Sequence, residues 1–577
     1  DIVLIANDLS VQNGTFGPQE DEVFKQASAL ARRDRIPRVY IAANSGARFG
    51  LSESVKQRFR VQWNDPEDEN KGVKYLYLTP KDKEALGAAV VTEEVRAQVP
   101  RAHRFFGDHE ADGSEAETVT EVHHKVIAII GSEEGLGVEC LRGSGMIAAE
   151  TAVANKEIFT IALSTSRNIG IGSYVLRLGQ RIVQHRRAPI ILTGHGALNK
   201  LLGNNVYESN LQLGGPEVMA SNGVSHAVVD SDLEGVTAIV KWLGFVPRTA
   251  DAPPAALPVH DPVDRPTGFT PTAGEVYDPR FLICGDGDQP GLFDSGSFVE
   301  TLAEWAKTVV VGRARLGGIP VGVIATESRI VTKTVLADPA NMGSREETVS
   351  QAGQVWFPDS AYKTAQAIQD FNKGERLPLF ILANWRGFSG GRKDMYEEVL
   401  KFGSYIVENL VAYEQPVFVY IPPHAEVRGG AWVVIDPQIS PRVMEMYASD
   451  TARGGVLEPA GIAEIKFRRP EVLKAMHRLD HQLLLAKSRQ GMFTKEDIAD
   501  FVADRESQLM HSYALLGELF ADLHDRPERM LAKGVIRKVV PWQEARGHFY
   551  WRMRRRLAEL PSQRCAECLR PELGDRE

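Results

Sequence analysis

The chain repeats one pattern that restricts its fold more than any other feature: an aliphatic run, a glycine-rich turn, and apolar residues at helical spacing. Continuous Val, Ile and Leu runs that alternate with helices indicate an α/β architecture. Such runs stand at Val39–Ala42, Ile158–Leu163, Pro189–Thr193, Val321–Ala325, Leu379–Ala383 and Pro416–Ile421, and Asp1–Ala6 predicts a strand at the start. Helical spacing predicts helices over Ser52–Trp63, Ser173–Gln184, Ser360–Asn372 and Lys393–Leu410.

One proline-rich stretch divides the chain. Pro247–Pro279 holds eight of the 31 prolines and predicts a linker, which places a boundary near residue 260. We therefore expect one domain over residues 1–260 and a second over residues 261–577. The second domain ends in a helix-rich extension, in which Thr494 is expected to cap a helix.

Charge and composition exclude several classes of protein. With 67 Lys and Arg against 76 Asp and Glu in 577 residues, the net charge is −9. A protein with a negative net charge does not attract the phosphates of nucleic acid, so we expect no nucleic-acid partner. No run of about 18 apolar residues occurs, so we expect no membrane span. Four cysteines are too few for the disulfide framework of a secreted chain, which points to the cytoplasm. Because it begins at Asp1, the sequence reads as a piece of a longer polypeptide.

The two halves share a motif, which suggests a duplicated α/β unit. Ile36–Asn44 and Leu377–Asn384 each contain a proline, a buried-type strand and then Ala-Asn, followed by a glycine-rich turn. Each half also has a later strand that ends near glycines, at Gly170–Gly172 and at Arg428–Gly430.

Glycine-rich turns at helix starts leave backbone N–H groups that bind anions and stabilise oxyanions. Four such turns occur, each with an arginine inside or beside it, although glycine can also serve close packing alone. P-loop, dinucleotide, HExxH and GxSxG motifs are missing, and the Cys565–Cys568 pair lacks partners for zinc. Lys81–His124 predicts a surface excursion, with His123 and His124 at the surface. Backbone amides and arginines without a clear nucleophile fit chemistry on a thioester carbonyl.

Longer motifs extend this interpretation to a family. In the first half they are Phe16–Asp21, Ala43–Arg48, Leu141–Gly145, Gly170–Tyr174 and Val175–Arg181; in the second half they are Val310–Pro320, Gly353–Ser360, Asn384–Gly391 and Glu426–Trp432. The chain closely resembles the carboxyltransferase domain of eukaryotic, multidomain acetyl-CoA carboxylase. The resemblance covers nearly the whole chain. It implies two crotonase-like subdomains, each built of ββα turns.

The resemblance also implies a reaction and partners. A carboxyl group would move from carboxybiotin to acetyl-CoA, giving malonyl-CoA, in a site at the interface of a head-to-tail homodimer. Two oxyanion sites and no metal would be needed. Biotin would arrive on a carrier domain outside this chain, because the Ala/Val-Met-Lys-Met attachment motif is absent. ATP would be used only by a separate biotin carboxylase part.

Carried over by motif, the resemblance assigns two pairs of backbone amides. The N–H groups of Ala47 and Ile171 would hold the thioester oxygen. Those of Gly390 and Glu458 would contact the ureido carbonyl of biotin. Arg386 would hold the transferred carboxylate, because a guanidinium suits bidentate pairing.

Further substrate-binding residues follow from the same resemblance. Arg167 would assist with an anionic part of the substrate, while Lys200 and Arg468 would lie near the CoA or biotin entrance. Gly170 belongs to this set, and the acyl pocket would be lined by Leu141, Tyr174, Phe388, Trp432 and Val433. The alternative for each arginine is a structural ion pair, and for Tyr174 and Trp432 it is core packing.

Other functions stay open at this point. A crotonase-type hydratase would need paired glutamates, of which Glu426 is one candidate without a visible partner. A carboxyltransferase for another short acyl-CoA, such as propionyl-CoA, is closer. A non-catalytic CoA-binding module is the alternative from a different class.

Overall fold

The computed structural model describes residues 1–66, 68–100, 118–488 and 494–569. The strands of the first half are β1 (Val3–Ala6), β2 (Arg38–Ala42), β3 (Arg60–Trp63), β4 (Val73–Leu78), β5 (Val90–Pro100), β6 (Thr118–Ile129), β7 (Thr160–Ser164), β8 (Asn168–Ile169), β9 (Arg181–His185), β10 (Ile190–Ile191) and β11 (Ala227–Val229). Its helices are α1 (Pro18–Arg33), α2 (Glu53–Lys56), α3 (Pro80–Leu86), α4 (Val138–Glu157), α5 (Ile171–Leu178), α6 (His195–Leu202), α7 (Leu211–Gly214), α8 (Pro216–Met219) and α9 (Asp232–Leu243).

The second half follows an extended connection. Its strands are β12 (Gly285–Asp286), β13 (Gln289–Pro290), β14 (Val299–Thr301), β15 (Val309–Leu316), β16 (Ile319–Thr326), β17 (Val331–Val335), β18 (Glu347–Gln351), β19 (Val355–Trp356), β20 (Leu379–Leu382), β21 (Gly387–Phe388), β22 (Val417–Ile421), β23 (Glu426–Arg428), β24 (Met444–Ala448), β25 (Arg453–Gly455) and β26 (Lys538–Val539). Its helices are α10 (Arg280–Cys284), α11 (Pro358–Asn372), α12 (Arg392–Tyr396), α13 (Val399–Val411), α14 (Gly429–Ile435), α15 (Pro459–Lys466), α16 (Arg469–Leu479), α17 (His481–Ser488), α18 (Lys495–Asp522), α19 (Pro527–Ala532) and α20 (Trp542–Leu569).

Each half is built on one main sheet. The first has the order β1-β2-β7-β9-β11 and is parallel throughout. The second has the order β14-β15-β16-β20-β22-β24-β26, parallel from β16 onward. After a main strand, a short strand leaves the sheet and pairs with its counterpart in the next unit, as β8–β10, β19–β21 and β23–β25. This repeat is the duplicated unit that the shared Ala-Asn motif predicts.

The central strands of the second sheet are buried, because apolar clusters pack against both of its faces. All eight residues of β15 and of β16 are buried, as are all residues of β20 and β22. The aliphatic runs of the sequence therefore correspond to fully buried strands. Among the described residues, no helix is both long and apolar enough to cross a membrane.

One contact between the two halves lies at the amino-terminal ends of the first sheet's strands. Glu375, which precedes β20, accepts hydrogen bonds from the Nε atoms of Arg181 at 2.5 Å and Arg313 at 2.7 Å, and all three side chains are buried. Gly374 packs so closely on the residue before β7 that a Cβ would lie 2.7 Å from the Phe159 Cα. The halves also touch after α6, where the Tyr207 hydroxyl donates to Asp338 Oδ1 at 2.7 Å.

Some predicted elements are wrong. The helix predicted over Ser52–Trp63 covers only Glu53–Lys56, and Arg60–Trp63 is β3 of a four-stranded antiparallel sheet with the order β3-β4-β6-β5. This sheet takes in much of the predicted excursion, of which residues 101–117 lie outside the described residues. His123 is buried, because its ring stacks on Tyr77 with centroids 3.5 Å apart. The expected surface position is therefore wrong for this histidine.

The remaining helix predictions are confirmed in part. The helix over Ser360–Asn372 is α11, and the Thr494 side chain caps α18. The helix predicted over Ser173–Gln184 ends at Leu178, since Gln180 has φ 72° and β9 follows. The helix predicted over Lys393–Leu410 is split into α12 and α13 at Glu398, which has φ 70°.

Candidate active site

The loop after β2 holds the amide of Ala47 away from other partners. Asn44 is fully buried, and its Oδ1 accepts a hydrogen bond from the N–H of Gly46 at 2.7 Å. Phe16 pairs with the loop through Gly46 O at 2.9 Å and Arg48 N at 2.7 Å, so both bonds use the neighbours of Ala47. Within the described ranges, the Ala47 N–H donates no hydrogen bond.

A second amide stands at the start of α5. Gly170 has φ 55°, which turns the chain from β8 into the helix, and Ile171 is the first helical residue. The Ser173 hydroxyl donates to Asn168 O at 2.8 Å and is within 2.7 Å of Ile191 O, which fixes this turn. Among the described residues, the Ile171 N–H has no acceptor. We call the amides of Ala47 and Ile171 the first nest.

The two loops of the first nest lie against each other. A Cβ added to Gly172 would lie 2.7 Å from Asn44 Oδ1, and one added to Gly46 would lie 3.2 Å from Ile169 O. The N–H of Ile169 donates to Asn44 O at 3.0 Å. Both unpaired amides therefore belong to one packed unit at the carboxyl ends of β2 and β7, where the N-terminus of α5 adds positive potential.

The second half carries the matching arrangement after β20. Asn384 takes the place of Asn44, and its Oδ1 accepts from Glu426 N at 3.0 Å. The N–H of Ser389 donates to Trp356 O at 2.8 Å, which leaves Gly390 at the turn before α12. A Cβ at Gly390 would meet no atom within 4 Å. In the described part of the chain, neither Gly390 nor Glu458 donates a hydrogen bond from its main chain, and we call these two amides the second nest.

Arg386 lies beside the second nest and is partly engaged. Its Nε donates to Glu426 Oε1 at 2.7 Å and lies 3.4 Å from Glu458 Oε1. The structural ion pair considered from sequence is therefore present at one edge of the guanidinium. Its terminal nitrogens donate no hydrogen bond to any described residue, and half of the side chain is exposed. That terminal edge has the geometry for a bidentate carboxylate.

Comparison with known proteins decides the family. The carboxyl transferase domain family matches residues 1–557. The chain is 51% identical to the acetyl-CoA carboxylase of Schizosaccharomyces pombe over 589 residues, and 49% identical to the mitochondrial acetyl-CoA carboxylase of Saccharomyces cerevisiae strain YJM789 over 573 residues. The chain belongs to the carboxyl transferase domain family. These alignments cover 100% and 97% of it but only 25% and 24% of the relatives, so it spans about a quarter of their length.

A solved structure supports the fold. Transcarboxylase 12S, solved with methylmalonyl-CoA and methylmalonic acid bound, matches this carboxyltransferase chain with a TM-score of 0.62 at 15% identity. The match covers 96% of this chain and 80% of that chain. The crotonase-like fold that the resemblance implies is confirmed.

The predicted pocket residues of the carboxyltransferase differ in exposure. Tyr174 is 54% exposed, which excludes simple core packing, and Leu141 and Val433 are also exposed. Phe388 stacks on the buried Trp356 with ring centroids 4.9 Å apart. Trp432 packs on Gly454, where a Cβ would lie 2.8 Å from its ring. The core-packing alternative is therefore partly right for Trp432.

The predicted cationic residues are exposed. Arg167 donates from Nε to Ser45 Oγ at 3.1 Å, beside the first nest. Lys200 lies on α6, and Arg468 precedes α16. Within the described ranges none of the three forms an ion pair, so the structural ion pair is not observed for Arg167 or Arg468.

Sequence reasoning missed the residues that hold the two nests in place. Asn44 and Asn384 belong to the shared motif, and each follows a main strand in the same position, but the sequence alone assigns them no role. The sequence offers Glu426 only as a candidate hydratase residue, whereas its carboxylate binds Arg386 and Arg428. The repeated Ala-Asn dipeptide was the signal that could have identified the asparagines.

The two nests of the carboxyltransferase lie in different halves of the chain. The first nest lies at the carboxyl ends of its strands, while the second half contacts their amino ends through Arg181 and Phe159. A second contact between the halves lies after α6, where the Tyr207 hydroxyl donates to Asp338 Oδ1 at 2.7 Å. No hydrogen bond or ion pair of the described residues joins the two nests.

Proposed function

We propose that this chain transfers the carboxyl group of carboxybiotin to acetyl-CoA to form malonyl-CoA, the committed step of fatty acid synthesis. The observation that carries the proposal is the pair of nests: four backbone amides that find no acceptor in the described ranges, two in each half of a carboxyl transferase family member. The similarity to acetyl-CoA carboxylases over the whole chain supports acetyl-CoA as the acyl acceptor.

The first nest serves the acyl-CoA. Removing a methyl proton from acetyl-CoA puts negative charge on the thioester oxygen. The N–H groups of Ala47 and Ile171 hold that oxygen, and they act without reorganisation because Asn44 and Gly172 already fix their loops. One such donor contributes about 2.7–4 kcal/mol to transition-state stabilisation in other enzymes.

The second nest serves carboxybiotin. When bound, carboxybiotin would supply the carboxyl group as CO₂ through cleavage of its N–C bond; the ureido nitrogen freed in this way would take the methyl proton, and the enolate carbon would form its new bond to CO₂. The N–H groups of Gly390 and Glu458 hold the ureido oxygen, and the open space in front of Gly390 fits a ring that must approach the backbone. The terminal edge of Arg386 holds the transferred carboxylate.

Exposed residues around the nests bind the rest of the substrate. Arg167, Lys200 and Arg468 are cations that suit the phosphates of CoA or the biotin entrance. The acyl pocket is formed by Leu141, Gly170, Tyr174, Phe388, Trp432 and Val433. The proposal invokes no metal ion.

A head-to-tail homodimer completes the site; the support is that no hydrogen bond or ion pair among the described residues joins the two nests of one chain. The nest of the first half then faces the nest of the second half of the other copy. Large exposed apolar side chains near both nests support this contact; they include Val138, Leu141, Tyr174, Leu192, Val433, Val456 and Leu457. A stable interface of this kind buries about 1,200–2,000 Å² or more. The biotin carrier and the biotin carboxylase, which uses ATP, are domains of the same polypeptide, and we place it in the cytoplasm.

The reverse reaction tests the proposal. Purified chain is mixed with malonyl-CoA and biocytin, and acetyl-CoA formation is followed. We expect formation that depends on biocytin. A faster reaction with methylmalonyl-CoA would identify a propionyl-CoA carboxyltransferase. A folded dimer that binds malonyl-CoA but releases no acetyl-CoA would indicate a CoA-binding module instead.

A further inference from the structure

Arg428 is a buried charge that the proposed mechanism does not use. It ends β23, its side chain is 3% exposed, and it lies behind the second nest. One terminal nitrogen, Nη1, donates to Leu457 O at 3.1 Å and also to the carboxylate of Asp525. Its Nε donates to Glu426 Oε2 at 2.8 Å. Three acceptors from three separate segments therefore converge on one guanidinium.

Glu426 connects Arg428 to Arg386. The Oε1 atom of Glu426 accepts from Arg386 Nε at 2.7 Å, while its Oε2 atom is bound to Arg428. The main chain of Glu426 is fixed as well, because its N–H donates to Asn384 Oδ1 at 3.0 Å. The carboxylate of Glu426 therefore orients the half-exposed guanidinium of Arg386, and Glu426 is itself held in place by the buried Arg428.

Arg428 also holds the loop that carries Glu458. The Leu457 carbonyl, which accepts from Arg428, and the N–H of Glu458 belong to the same peptide group. This contact therefore fixes the Glu458 amide of the second nest directly. Packing around the loop is tight: a Cβ at Gly455 would lie 2.5 Å from Asp525 Oδ1 and 2.8 Å from Arg428 Nη1. Asp525 O in turn accepts from Gly454 N at 3.0 Å.

We propose that Arg428, anchored by Asp525 of the helical extension, is the positioning residue of the second nest. It directs Arg386 through Glu426 and fixes the Glu458 amide through Leu457 O. The kinetic part of this inference rests on the proposed function, whereas the part that concerns the Glu458 loop does not. The helical extension thereby has a role in the site, since Asp525 follows α18 at its end.

The chemistry at this position requires arginine. Burial disfavours a charge on Arg428, but its hydrogen bonds to Asp525 and Glu426 raise its pKa, so it stays cationic. A lysine would keep the charge but cannot reach three acceptors at the angles of a planar fork. Charge alone therefore does not reproduce the positioning.

The test compares Arg428→Lys and Asp525→Asn with Asp522→Asn. Asp522 is the matched control, because it binds Arg453 Nε at 2.6 Å between α18 and β25 without touching Arg428. We expect kcat of the reverse reaction to fall at least about 100-fold in Arg428→Lys, the loss that a misplacement near 1 Å causes. The KM for malonyl-CoA should rise as well, because Arg386 holds its carboxylate, whereas the Kd for acetyl-CoA, which has no carboxylate, should stay within about twofold. Asp525→Asn should show the same difference between the two ligands and the same loss of kcat, and Asp522→Asn should keep its kcat.

Hydrogen exchange separates this inference from the proposed function. Amide exchange over residues 453–459 should accelerate in Arg428→Lys and Asp525→Asn but not in Asp522→Asn, whether or not the chain catalyses transfer. A wild-type chain without transferase activity would refute the proposed function alone. Unchanged exchange in that segment would refute the positioning role, as would equal loss of kcat in Asp522→Asn. A raised KM with an unchanged kcat would also refute it.

Discussion

A single methyl group at Gly172 should disable the first nest. The Cβ of an alanine there would lie 2.8 Å from Asn44 Cβ, whereas an ordinary carbon contact is about 3.5 Å, so Asn44 must move by about 0.7 Å. Asn44 is fully buried and holds Gly46 N, so the shift is passed to the Ala47 amide.

The expected cost falls mainly on catalysis. A misplacement close to 1 Å lowers kcat by about 100-fold, which corresponds to about 2.7 kcal/mol of transition-state stabilisation. Overpacking destabilises the fold by about 1–3 kcal/mol. The better helix propensity of alanine offsets up to about 1 kcal/mol of that. Gly172→Ala should therefore fold and dimerise.

The assay measures kcat and KM for malonyl-CoA in the reverse reaction, with urea unfolding alongside. Gly145→Ala is the control, because Gly145 lies in α4 and a Cβ there meets no atom within 4 Å. That variant should keep its kcat and gain about 0.5–1 kcal/mol in the free energy of unfolding. A folded Gly172→Ala protein with wild-type kcat would show that the Asn44 contact does not set the Ala47 amide.

Three further predictions concern single side chains. Arg386→Ala should lower kcat by at least about 100-fold and leave the dimer intact in size-exclusion chromatography. The control Arg33→Ala, at the exposed end of α1, should change neither kcat nor the dimer. Near-normal turnover of Arg386→Ala would contradict its assigned role. Glu375→Gln should lower the free energy of unfolding by about 3–5 kcal/mol in urea titration, because it leaves Arg181 and Arg313 buried without their carboxylate. A loss below about 1 kcal/mol, which is the size of the effect of a surface ion pair, would contradict this. Asp21 is buried, and neither of its carboxylate oxygens has a hydrogen-bond partner among the described residues, so burial raises its pKa to about 6 from the ordinary 3.8. Ionisation of Asp21 therefore lowers the stability of the folded chain as the pH rises from about 4 through 6, and Asp21→Asn should be more stable than the wild type by up to about 3 kcal/mol at pH 8 but by little at pH 4. Urea titrations at both pH values measure this difference, and an equal gain at both would refute the assignment.

The sequence was sufficient for features that depend on local pattern. Runs without a polar residue, such as Leu379–Ala383, predict buried parallel strands, since strands covered on both faces need no polar positions. The Thr494 cap was also predictable, because the capping hydroxyl oxygen and the N–H group that donates to it lie three residues apart. The amides of Ala47 and Ile171 came from family motifs, and no local pattern shows that two loops 124 residues apart pack together.

The errors arose where distant pairing outweighed local preference. Arg60–Trp63 has helical spacing with the residues before it, but it gains hydrogen bonds as a strand beside β4. The break at Gln180 depends on a positive φ that glutamine rarely adopts, so spacing could not reveal it. The contact of Arg428 with Asp525 spans 97 residues, and a lone arginine in sequence does not indicate its acceptor.

A mixed dimer tests most directly whether the site is divided between two copies. Gly172→Ala and Arg386→Ala are expressed together with different tags, and the dimers are assayed for malonyl-CoA decarboxylation with biocytin. Each mixed dimer has one site with both defects and one site with neither, so a statistical mixture should recover about a quarter of the wild-type rate. Recovery to that level is the expected result. A mixture no more active than the two separate variants would place both nests of a working site in one chain and contradict the head-to-tail arrangement.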